Sequence, residues 1–174
     1  APADGSRKAV QVVLTTHSPT LASAIPLDRV TLIAGGKPYR LARTFTRLSE
    51  GDYAFLERFL DSTKANLFFA KGVAIVEGDA ENLLLPVLAE LSGYSFRTNG
   101  ISVVNVGHVG LFRYSNIFRR ADGTTMSIKV ACLRDRDIVP DHVPNESKGK
   151  LKKASEYTEQ TLNDRLTKFC SEDG

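Results

Sequence analysis

Four carboxylates stand where two apolar runs give out. Glu77 follows the run that ends at Val76, with Glu81 four residues on, and Asp135 and Asp137 follow the run that ends at Leu133. If both runs are parallel strands of one sheet, their carboxyl ends share a rim, and ligands gather there. The i, i+2 spacing of Asp135 and Asp137 points both to one side while the chain is extended, and Glu81 lies about one helical turn beyond Glu77. Without a cation such a cluster would repel itself and be costly to bury. Oxygen donors alone favour Mg²⁺ or Mn²⁺ over zinc, and two such ions roughly 3.5–4 Å apart could bind the attacking and leaving oxygens of a phosphodiester. The expected chemistry is metal-dependent phosphodiester cleavage. Each motif by itself also has an ordinary reading. Asp-x-Asp suits a turn, Glu81 complements a helix dipole, and Asp79 serves as an N-cap. What points to a metal is that both acidic motifs end apolar strands of one α/β unit. His17 and His108 read as hydrogen-bonded loop histidines, and Gly107 and Gly110 as turn residues.

The elements that must position these side chains follow from periodicity. Val10 to Leu14 reads as a buried strand delivering Thr15, Thr16, His17 and Ser18 to a loop. A short helix over Thr20 to Ala24 follows, with Ser18 as N-cap and Pro19 in the first turn. Val30 to Ala34, Gly35-Gly36 and Tyr39 to Ala42 predict a hairpin. Phe55, Leu56, Phe59 and Leu60 recur at helical spacing between Ser49 and Asn66. Leu67 to Val76 then reads as a strand, followed by a helix that buries Leu83, Leu84, Leu85, Val87, Leu88 and Leu91, kinks at Pro86 and stops at Gly93. Further strands are predicted over Ile101 to Val106 and Ile128 to Leu133, with a helix from Leu111 to Arg119 between them. This alternation specifies an α/β fold with a parallel sheet covered by helices. The tail from Asp141 to Gly174 is charged, with a helix expected over Ser155 to Phe169.

A chain of 174 residues, 42% hydrophobic, can bury a core of roughly 70% of its unfolded surface. Its 23 Lys and Arg against 20 Asp and Glu give a formal charge of +3, too near balance to announce a nucleic-acid binder. Distribution matters more: Arg113, Arg119, Arg120 and Lys129 precede the second acidic motif, Arg134 and Arg136 interleave with it, and Lys148, Lys150, Lys152 and Lys153 follow. Cys132 and Cys170 lack zinc-site spacing, and Cys132 reads as a small buried hydrophobe. With no signal-peptide pattern and no run of membrane-spanning length, a soluble cytoplasmic protein is expected. The opening APADGS is polar and carries no fold signal. A hairpin reading as the edge of a larger sheet suggests a piece of a longer protein.

The segment Val76-Glu77-Gly78-Asp79-Ala80-Glu81-Asn82-Leu83-Leu84-Leu85-Pro86, with Asp135-Arg136-Asp137, resembles the Toprim domain of OLD-family (overcoming lysogenization defect) nucleases. Thr15-Thr16-His17-Ser18-Pro19-Thr20-Leu21-Ala22 is similar to the end of an ABC-type ATPase domain, where the histidine senses the nucleotide γ-phosphate. The two cover roughly residues 10 to 140. The resemblance implies a linker over residues 1–9, the tail of an ATPase domain over 10–48, a connecting helix over 49–66, a Toprim nuclease core over 67–140 and a charged helical extension over 141–174. It implies a DNA endonuclease in which Glu77, Glu81, Asp135 and Asp137 bind Mg²⁺ or Mn²⁺, two per site, with one of the glutamates handling protons. His17 would be the nucleotide sensor. No G-x-x-x-x-G-K-S/T loop is present, so ATP would be a cofactor of a full-length protein only, in which ATPase heads generally pair. DNA is the expected partner and a membrane is not. Alternatives are another Toprim enzyme, primase-like or RNA-processing, and a non-catalytic DNA-binding or regulatory module.

Overall fold

The computed structural model describes residues 11–107, 110–134, 138–142, 152–161 and 163–164. Helix α1 spans Pro19–Ser23, and the Ser18 side chain accepts from the Leu21 N–H at 3.4 Å, as expected from a serine followed by proline. The residues before it depart from expectation: 11–14 form no strand, and Val13 is 83% exposed. A strand needs a neighbour to take up its backbone N–H and C=O groups, and among the described residues none pairs with this segment. Strands β1 (Thr31–Ala34) and β2 (Lys37–Arg40) form the antiparallel hairpin, with Ala34 opposite Lys37. Gly35 and Gly36 both carry positive φ, 56° and 73°, as the two-residue turn requires.

Helix α2 covers Glu50–Phe59 and starts at a capping box. Ser49 accepts from the Asp52 N–H while the Asp52 carboxylate accepts from the Ser49 N–H at 2.9 Å, an arrangement worth about 1 kcal/mol. Leu56 and Leu60 are buried as the spacing predicts, but Phe59 is largely exposed, and Tyr53 fills the core instead. The Tyr53 hydroxyl donates to the Leu41 carbonyl at 2.6 Å, tying α2 to the hairpin.

The apolar run from Leu67 to Val76 is not one strand. Lys64–Phe69 wind into a 3₁₀ turn, with the Asp61 carboxylate accepting from the N–H groups of Thr63 and Lys64 at 2.9 and 3.0 Å. Leu67 and Phe68 are buried from that turn, so strand β3 spans only Gly72–Val76, every residue of it buried. After it come α3 (Asp79–Leu91), a short α4 (Phe96–Asn99), β4 (Ile101–Asn105), α5 (Leu111–Asn116) and β5 (Lys129–Leu133). Among the described residues the sheet is parallel in the order β4-β3-β5, with Val76 beside both Asn105 and Leu133. The architecture is the α/β fold that the alternation of strands and helices specifies.

One face of the sheet, with Val73, Ile75 and Val104, joins a core that includes Leu56 of α2 and Tyr114 and Ile117 at α5. Val130 and Cys132 pack against its margin. Tyr114 donates to the Phe59 carbonyl at 3.0 Å, and an added Cβ at Gly110 would fall 2.7 Å from the Phe55 ring, so α2 and the start of α5 touch closely. The other face corrects an expectation. Helix α3 buries none of its residues, and Leu83, Leu84, Val87, Leu88 and Leu91 are all exposed, up to 81% at Leu91. The leucine spacing makes an apolar stripe, but no described element lies over it. The helix runs through Pro86, which removes only its own bond to the turn before, and ends near Gly93 in the left-handed region (φ 77°). Residues 154–156 form a 3₁₀ turn and helical backbone begins at Glu159, four residues later than the helix expected from Ser155; residues 162 and 165–169 of that expected helix lie outside the described residues. No helix among the described residues is long and apolar enough to cross a membrane.

Candidate metal centre at the strand ends

Glu77 leaves the sheet where β3 ends, directly after the fully buried Val76. Its side chain is 13% exposed, and the Arg134 guanidinium lies 3.4 Å from its carboxylate. The contact follows from register. Val76 pairs with Leu133, so the residues that follow them leave neighbouring parallel strands on the same rim, where strands lie about 4.8 Å apart.

Glu81 sits in the first turn of α3, and its carboxylate folds back over the start of the helix. A Cβ built on Gly78 would meet Glu81 Oε2 at 2.6 Å. The φ of Gly78 is −138°, ordinary extended backbone open to any residue. What a side chain here would meet is the Glu81 carboxylate, and the backbone conformation sets no bar to one.

Asp79 departs from its expected role. Gly78 is the N-cap and Asp79 the first helical residue. The Asp79 carboxylate accepts from Asn105 Nδ2 at 2.7 Å, and Asn105 Oδ1 accepts from the Gly107 N–H at 2.9 Å. One amide thereby joins the end of β4 to the start of α3 and shapes the turn after β4. Sequence reasoning passed over Asn105; the available signal was a polar residue closing an apolar strand, the same signal that singles out Glu77.

Glu77 and Glu81 thus come to one rim. Asp135, Asp137 and His108 lie outside the described residues. Among the described residues no group of three or more His, Cys, Asp or Glu could hold a metal ion. His17 is exposed beside α1, its ring 6.2 Å from that of Phe69. Phe69 precedes β3 and Glu77 follows it, so a strand of about 16 Å separates them. The histidine is not part of the carboxylate rim. Cys132 is half-buried against the core margin, close to the small hydrophobe expected.

The donors at the rim suit a hard divalent cation: two carboxylates, one of them in a hollow that a side chain at Gly78 would fill. Residues 68–137 match the family model described as overcoming lysogenization defect protein-like, TOPRIM domain. The match takes in β3 through β5 and the positions of all four candidate carboxylates, while the segment 10–48 lies outside it. A search of curated proteins returned no match. Toprim domains are found typically in metal-dependent enzymes that process nucleic acids, and they bind divalent metals such as Mg²⁺. The parallel sheet, the Glu77 rim and the family match together identify residues 68–137 as an OLD-like Toprim domain.

Proposed function

We propose that this chain carries the cleavage centre of a metal-dependent DNA endonuclease. The observation that carries the reading is the pairing of Val76 with Leu133, from which Glu77 and Arg134 leave neighbouring strand ends in contact, Asp135 being the next residue in the sequence. In this reading Glu77, Glu81, Asp135 and Asp137 hold Mg²⁺ or Mn²⁺, two ions per site. The bound ions supply Lewis-acid stabilisation of the phosphodiester and lower the pKa of water. Glu77 is the fixed ligand, anchored at the end of a buried strand and partnered by Arg134. Glu81, on a longer reach from the first turn of α3, can bind metal or take a proton. Asn105 holds Asp79 to the turn after β4, so that carboxylate already has a hydrogen-bonding partner of its own.

On the same reading residues 10–48 are the tail of an ABC-type ATPase domain, with His17 as its γ-phosphate sensor, and the full-length protein couples ATP to cleavage and pairs through its heads. The basis is the Thr15-to-Ala22 motif, with Ser18 capping α1.

The test is nicking of supercoiled plasmid in Mg²⁺ or Mn²⁺ by the wild type, Glu77→Gln and Asp135→Ala. Either substitution is expected to reduce the rate by at least about a hundredfold, equivalent to about 2.7 kcal/mol of transition-state stabilisation. Undiminished cleavage by both variants would overturn the assignment.

A further inference from the structure

An open cleft of about 620 Å³ runs along β5 on the side of the sheet that carries α5. Arg47, Arg119, Arg120 and Lys129 line it, and none of its lining residues is acidic. Arg120 serves as scaffold. It is buried, ion-paired with Asp122 at 2.5 Å, and donates to the Arg40 carbonyl. Arg47 is held at the cleft by a bond from its Nε to the Arg120 carbonyl at 3.2 Å. Lys129 opens β5 and is exposed. The floor is apolar, with Phe118, Met126 and Ile128, and hydroxyls of Thr124 and Thr125 stand beside it.

We infer that this cleft seats the sugar–phosphate backbone of a single-stranded nucleic acid and leads it to the carboxylate rim. Fixed cations above an apolar floor match the two surfaces of a nucleotide strand: charged phosphates and the faces of bases. A volume of this size suits a short stretch of strand, and the apolar floor suits the faces of unpaired bases, which a duplex keeps stacked inside. Direction comes from the strand. Cys132 lines the cleft, and Arg134, which contacts Glu77, is two residues further, about 7 Å along an extended chain. A strand lying in the cleft therefore points at the rim. The inference rests on the nuclease reading for its orientation, but the binding it asserts can be measured separately.

The experiment is fluorescence anisotropy of a labelled single-stranded oligonucleotide with the full chain in EDTA, so that nothing is cut, over a series of salt concentrations. Lys129→Ala and the double variant Arg47→Ala/Lys129→Ala are compared with wild type. Affinity should fall about tenfold in the double variant, and the slope of log K against log salt should become shallower by about 0.7 for each phosphate deprived of its cation. The single Lys129 variant changes an exposed side chain, so it stays informative if removal of the Arg47 side chain disturbs the fold. Unchanged affinity and slope in the single and double variants overturn the inference, as does equal competition by inorganic phosphate, a mononucleotide or duplex. The two readings fail separately. Cleavage by Glu77→Gln at the wild-type rate sinks the nuclease centre and leaves the anisotropy to judge the cleft. Loss of cleavage in Glu77→Gln, with binding insensitive to Lys129 and Arg47, removes the cleft alone.

Discussion

At the scale of single residues, Gly78 separates stability from function. A methyl group there would meet the end of a flexible carboxylate and no backbone atom, so Gly78→Ala should change unfolding stability by less than about 0.5 kcal/mol. The same methyl must push Glu81 out of its folded-back position. On the metal-centre reading, Mn²⁺ affinity followed by calorimetry should then weaken about tenfold while the thermal midpoint holds. A large loss of stability with metal affinity unchanged would contradict this account. Glu77 and Glu81 were legible in the sequence because strand ends and helical turns fix where such residues go. The Asn105–Asp79 bond was not, since it joins residues 26 apart whose meeting depends on β3 and β4 lying side by side. For Asp79 the local rule favoured an N-cap, and a cross-element bond prevailed.

At the scale of elements, the two long apolar segments show what periodicity can and cannot say. The stripe Leu84, Leu88 and Leu91 marks α3 as a helix, but spacing alone does not say whether anything covers it. In α2 the same kind of pattern buries Leu56 completely. Leu56→Ala should therefore cost about 2–5 kcal/mol, and Leu88→Ala no more than about 0.5 kcal/mol, as read from denaturant unfolding of each variant. Equal costs would mean that α3 is covered in solution. The start of β3 failed differently. Leu67 and Phe68 carry the composition of a strand, but the Asp61 side chain caps the following N–H groups and offers the chain a tight turn, which buries both residues without a partner strand.

At the scale of the whole molecule, two tyrosine hydroxyls connect parts distant in sequence. Tyr53 joins α2 to the hairpin and Tyr114 joins α5 to α2. Burial pushes the Tyr114 phenol up to about 12 and raises Tyr53 as well. A folded-state pKa above the unfolded value near 10 means that this stability is complete below pH 10 and lost as pH climbs through 12. Of the five tyrosines, these two should ionise late in a tyrosinate absorbance titration, together with unfolding. Ionisation of all five near pH 10 with the fold intact would count against it. The order of strands and helices across the molecule was readable from alternation, and the parallel rim followed from it. The shared core running from Ala22 through Ile128 was not, because it is assembled by bonds such as that from Arg120 to the Arg40 carbonyl, which no local pattern announces.

The leucines of α3 have a practical consequence at the bench. Solvent-facing aliphatic surface of this extent takes up environment-sensitive fluorophores such as ANS, so the native chain will glow before it is heated. Dye-based melting curves will begin from a high baseline and flatten, and circular dichroism, blind to that background, is the reporter to use for every variant named above.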